Sequence, residues 1–234
     1  MLFRIFILAL LIDFVGNGYL FAYGRPSNFY TQPFWPNQIL LAWICLAHVW
    51  AHLDASYSVA ALTTTVLGIY SPRDWPPLFG SISDSWTVRR FWGLSPISTI
   101  TTAVTRTLGF RKGSILSRYT QLYGGFFMSA AMHAFGCIMA AHQDVGNFRF
   151  LILQPFAITA EDIVIAIMKK LGYRGGRLAK VMGYLWVVAW LTWSLGNWAA
   201  GRISVGTYRL PGVVPYSLAA WFGIRNGPNG RKID

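Results

Sequence analysis

His133 joins a titratable group to open surroundings inside a strongly apolar run, YGGFFMSAAMHAFGCIMAA. An ionisable side chain is costly to keep at membrane depth and is by default a functional candidate there. On a helix its neighbours one turn away are Ser129, Ala130, Gly136 and Cys137, all small and all on its side of the helix. They leave a groove beside the imidazole, and a desolvated, neutral histidine can take the proton of an alcohol. The same spacing suits a histidine bonded to another helix with small residues serving packing. Spacing alone leaves both readings open.

Other residues invite chemistry with weaker patterns. Glu161 and Asp162 interrupt FRFLILQPFAITAEDIVIAIM, where two adjacent carboxylates need partners or a proton. Helical neighbours point about 100° apart, so both can face one ligand only if the helix unwinds locally. Pro155 supplies a possible kink. Otherwise the pair is a polar clamp to Arg, His or Trp. His48 and His52 share a helix face, and a metal site would need a third ligand such as Asp54; interhelical hydrogen bonding is the plainer role. Arg89, Arg90, Arg111 and Lys112 fall in one basic stretch, and guanidinium forks suit phosphates, whether of a carrier such as coenzyme A or of anionic lipid. Cys45 and Cys137 sit in apolar runs, as small buried hydrophobes, and no metal or redox cofactor is indicated.

The elements that must hold these groups are membrane helices. Of 234 residues 54% are hydrophobic and 12% charged, with a mean hydropathy of +0.42, about half the charge of an ordinary soluble domain. A span takes roughly 20 apolar residues, which predicts an all-α, polytopic helical bundle of about 5–7 spans, forming one domain over residues 1–234. Residues 2–23 read as an uncleaved span interrupted by Asp13. Residues 38–53 and 56–70 are either two short spans or one kinked unit, and further apolar stretches run over 122–141, 148–168, 181–200 and, more weakly, 213–224.

Between them, residues 71–118 carry seven basic residues against two acidic, a loop with interfacial helices. This loop, Lys169 to Lys180 and the C-terminal Arg225, Arg231 and Lys232 all fall on one side, which the positive-inside rule makes cytosolic, while the turn HQDVGN has no Lys or Arg. The net charge of +12 therefore speaks for topology and headgroup contact, and nucleic acid is not an expected partner.

Three segments resemble the wax synthase branch of the membrane-bound O-acyltransferases, in particular fungal members that acylate secondary metabolites. WPPLFGSISDSWTVRRFWG (75–93) is similar to that branch's W-P-x-L-F-G and S-L-R-x-F-W-G elements. YTQLYGGFFMSAAMHAFG (119–136) resembles the helix with its active histidine. LQPFAITAEDIVI (153–165) with GYLWVVAWLTWSLGNW (183–198) is similar to its Q-x-x-x-I-x-x-E-D element and G-Y-x-W-V helix.

The resemblance implies that His133 is the catalytic histidine of an acyl-CoA-dependent transfer to a hydroxyl, with no covalent enzyme intermediate. It implies an acyl, in particular acetyl, donor as co-substrate, a lipophilic alcohol such as a terpenoid as acceptor, and an endoplasmic reticulum membrane. Ser129, Trp92, Ser95, Ser98, Gln154, Glu161 and Asp162 would support or line the site. After F-W-G the family shows a polar W-H or W-N position. This chain has Ile97 there, which cannot move a proton, so either Ser95 or Ser98 substitutes, or the site is impaired, or it serves other chemistry on the same scaffold. The chain is also shorter than a typical member and is expected to lack N-terminal spans. Two other classes fit the residues: a membrane terpene cyclase using Asp13, Glu161 or Asp162 as acid within aromatic walls, and a non-catalytic membrane partner or transporter.

Overall fold

The computed structural model describes residues 2–15, 36–79, 82–92, 111, 114–173 and 175–205. Ser95, Ile97, Ser98, Lys112 and the weak apolar stretch at 213–224 lie outside them. The secondary structure of the described residues is helical. The chain divides into two compact units, Met1–Phe79 with Ala199–Asp234, and Gly80–Trp198.

In the first unit, α1 (Leu2–Ile12) packs on α2 (Pro36–Val66), burying Leu8 and Ile12 against Ala51 and Ala55. Helix α2 decides the reading of residues 38–70: it is one continuous helix of 31 residues. Asp54 marks the dip between the two apolar runs, and Arg4 of α1 meets it through both carboxylate oxygens at 2.5 to 3.0 Å. A paired carboxylate no longer needs water, so the helix continues through that point. At 1.5 Å per residue α2 is about 46 Å long, more than a bilayer core of about 30 Å. Beyond it, residues 71–79 fold back: the Tyr57 hydroxyl donates to the Pro76 carbonyl at 2.6 Å, and Trp75 packs edge-on against Tyr57.

The second unit holds the short α3 (Val88–Phe91), α4 (Ile115–Ala141), α5 (Asn147–Lys170) and most of α6 (Arg177–Val205). Helices α4 and α5 pack as a hairpin. Its turn is built from local chemistry. His142 takes a left-handed conformation (φ 58°) and Gly146 another (φ 88°), the second being cheap only for glycine. Asp144 then caps α5, accepting from the backbone N–H of Asn147 and Phe148 at 3.0 and 3.1 Å. Pro155 sits inside α5 without ending it.

Helices α2, α4, α5 and α6 are each long and apolar enough to cross a bilayer. Large apolar side chains stand exposed along all four, among them Leu53 and Val66 on α2, Met132, Phe135 and Met139 on α4, Val164 and Ile167 on α5, and Leu185 and Val188 on α6. Surfaces of that kind are a liability in water and ordinary in lipid. The protein is an all-α, polytopic integral membrane protein.

One close approach in the second unit admits only glycine. A Cβ built on Gly183 of α6 would collide with the backbone carbonyl of Trp86, on the segment that leads into α3. Gly183→Ala should therefore lower stability by about 1–3 kcal/mol, the usual result of overpacking, read as an earlier thermal unfolding midpoint of the purified protein in detergent. An unchanged midpoint would show that the segment moves aside freely.

A clamped strap and an exposed histidine

The candidate site grows from residues 83–92, a strap with little regular structure of its own that the second unit holds at several points. Thr87 caps α3 by accepting from the Arg90 N–H. The Tyr184 hydroxyl donates to the Ser83 carbonyl. Glu161, itself buried, accepts from the backbone N–H of Val88 at 2.6 Å and of Arg89 at 3.3 Å. Asp162 pairs with the Arg89 guanidinium at 2.6 Å and accepts from the Tyr119 hydroxyl at 3.0 Å. The two neighbouring carboxylates point apart, as helix geometry demands, yet both serve α3: one holds its backbone, the other a side chain. Helix α5 needs no unwinding to do this.

The strap ends at Trp92, whose indole N–H donates to Gln154 Oε1 at 3.1 Å. The same oxygen accepts from the Trp190 indole of α6 at 3.0 Å, and the Gln154 amide donates to the Phe150 carbonyl at 2.8 Å. Gln154 is fully buried, so its one amide ties α5, α6 and the strap together. Gln154→Leu would leave two indole donors without an acceptor. A loss of about 2–4 kcal/mol follows from the cost of unsatisfied buried groups, measurable by denaturant or thermal unfolding in micelles.

Trp92 also packs edge-on against Phe126 of α4 and Phe150 of α5, at 5.8 and 6.0 Å between ring centroids. This contact orients α4. Phe126 and His133 are seven residues apart, so they share one face to within about 20° and stand about 10 Å apart along the axis. Ser129 lies between them on that face. His133 thus lies on the side of α4 that meets the end of the strap, and its side chain is exposed. The buried side of α4 is carried by Ala130 and Ala134, so the small neighbours of His133 divide into packing contacts and open surface.

The remaining candidates fall elsewhere. Arg90 lies over the Trp86 ring at 4.5 Å, and Arg111 is exposed. Arg89 is already engaged by Asp162. On α2 the His48 and His52 rings meet edge-on at 4.5 Å, but Asp54, the third ligand a metal would need, has both oxygens on Arg4. Three contributors escaped the sequence reading: Trp190, Tyr119 and Gly183. Trp190 and Gly183 lie in the segment whose pattern drew attention as a whole, but nothing in it marks which indole reaches Gln154 or which glycine meets the strap.

This architecture, a polytopic helical protein whose acidic pair and glutamine clamp a strap on the side of α4 that carries a membrane histidine, defines an integral membrane protein with an enzyme-like site. Residues 75–153 match the Membrane bound O-acyl transferase family. The chain is similar to acetyltransferase ple2 of Rhodocybe pseudopiperita, 36% identical over 62% of this chain and 41% of that protein. It is similar to acetyltransferase eriL of Hericium erinaceus, 31% identical over 79% of this chain and 51% of the relative, and to acetyltransferase sirH of Leptosphaeria maculans, 31% identical over 75% and 46%. No solved structure matches. These findings tie residues 75–153 to the membrane bound O-acyl transferase family and make the chain similar to fungal acetyltransferases. The chain spans about half the length of these relatives or less.

Proposed function

We propose that the protein is an O-acetyltransferase of the endoplasmic reticulum membrane, transferring acetyl from acetyl-CoA to a hydroxyl of a lipophilic secondary metabolite such as a terpenoid. The observation that carries this reading is the position of His133. It lies within the segment matched to the family, exposed, on the face of α4 that meets Trp92 through Phe126. In the reaction His133 accepts the hydroxyl proton as the substrate oxygen attacks the thioester carbonyl carbon. The new C–O bond forms, the C–S bond breaks, and the CoA thiolate leaves and takes the proton back from the imidazolium.

The strap supplies position. Ser95 and Ser98 follow Trp92 by three and six residues in the sequence, and Trp92 is held by Gln154. Arg90, Arg111 and Lys112 are the cations assigned to the CoA phosphates, while Arg89 serves the clamp. The cyclase reading loses its motivation at Glu161 and Asp162, since both carboxylates are occupied in holding α3.

The test is product analysis from microsomes that express the chain, given radiolabelled acetyl-CoA and an extract of lipophilic alcohols, beside His133→Ala. Label in an ester that requires His133 is the expected result. Ester formed equally by both proteins, or no ester from any alcohol with the protein confirmed in the membrane, would count against the proposal.

A further inference from the structure

At the end of the second unit that carries the α4–α5 turn, a small cleft of ≈ 90 Å³ opens between α5 and α6, lined by Gly146, Arg149, Phe150, Ser194, Asn197 and Trp198 among others. Its floor is rigid: Phe150 stacks on Trp198 at 5.3 Å, and the Trp198 indole donates to Asn147 Oδ1 at 2.9 Å. Its polar wall holds two donors, the Arg149 guanidinium and the Asn197 amide, because the Ser194 hydroxyl already donates to the Leu191 carbonyl.

Arg149 is an unusual residue to find here. It is the third residue of α5, within the first turn, where the helix dipole disfavours a cation and favours an anion. Asp144, the acid nearest in sequence, is committed to the N–H groups of Asn147 and Phe148. The two ion pairs among the described residues are Arg4–Asp54 and Arg89–Asp162, and neither involves Arg149. The guanidinium therefore has no acidic partner among the described residues, while sharing a cleft with the Asn197 amide. An anion seated there would meet both side chains favourably. Trp193 lines the same cleft and is 54% exposed, which suits an indole at the membrane interface.

We infer that this cleft binds a phosphate group, held by Arg149 and Asn197 between α5 and α6. A volume of ≈ 90 Å³ suits a compact headgroup and is too little for an acyl chain, which would lie outside against the apolar helices. The phosphate of an anionic lipid and free inorganic phosphate share the required chemistry.

Native mass spectrometry of the full chain, released from micelles containing phosphatidic acid or phosphatidylcholine, tests the site. The wild type should retain phosphatidic acid in preference to phosphatidylcholine. Arg149→Gln should weaken that retention on the order of tenfold, the loss of one charge-assisted contact, and Asn197→Leu should weaken it several-fold. Both residues are exposed, so neither change should alter the unfolding midpoint. Displacement of the lipid by inorganic phosphate would assign the cleft to phosphate from either source; resistance to displacement would assign it to the lipid. Equal retention of phosphatidic acid by wild type and Arg149→Gln, or equal loss of both lipids, would overturn the inference.

Discussion

Microsomes carrying His133→Ala should form acetyl ester at a rate about 10²- to 10⁴-fold below wild type, the range that a positioned general base contributes. The expectation rests on chemistry and on exposure together. An imidazole is suited to take an alcohol proton near neutral pH, and the side chain of His133 is exposed while Ala130 and Ala134 of α4 are buried. Removing an exposed side chain costs little packing, so the variant should accumulate in the membrane at wild-type level and unfold at the same temperature. His133→Gln should be as inactive as His133→Ala, since an amide can hydrogen-bond and cannot accept the proton. If His133→Gln kept most of the rate, the residue would be orienting a substrate and the base would lie elsewhere.

Glu161→Ala should lower stability by about 2–4 kcal/mol, the largest loss expected from any single carboxylate in the second unit. Glu161 is buried and so is Val88, and the carboxylate accepts the Val88 N–H at 2.6 Å. Truncation leaves that donor, and the Arg89 N–H beside it, without an acceptor where water has little access. Asp162→Ala makes the instructive comparison. Its ion pair with Arg89 is partly exposed, with 44% of the arginine side chain and 23% of the aspartate accessible, and pairs of that kind contribute at most about 1 kcal/mol. Unfolding midpoints in detergent should therefore drop far more for Glu161→Ala than for Asp162→Ala. Equal drops would mean that the ion pair and not the backbone clamp anchors α3. Because α3 leads directly to Trp92, Glu161→Ala should also slow acetyl transfer, and Glu161→Gln, which keeps one acceptor oxygen, should recover part of both losses.

The chain's own residues determined its class without reference to any contact. Long apolar runs with few charges can satisfy their backbone in lipid only as helices, so α4, α5 and α6 follow from 122–141, 148–168 and 181–200 with shifts at the ends. The α4–α5 turn was equally legible, since Asp144 and Gly146 act on backbone atoms a few residues away. His133 stood out because one ionisable group in an apolar run is expensive wherever it points. What depended on partners far along the chain was not legible. Hydropathy could not tell whether residues 38–70 form one helix or two, because the answer lies in Arg4 reaching Asp54 from fifty residues away. The sequence marked Glu161 and Asp162 as needing partners but could not say which: a carboxylate's role is set by what stands opposite it, and here that is the backbone of Val88 and the side chain of Arg89, more than seventy residues away. Gln154 and Gly183 show the same division. Composition and periodicity set which segments enter the membrane, while tertiary packing decided which polar groups are consumed in holding the strap and left His133 on the open face of α4.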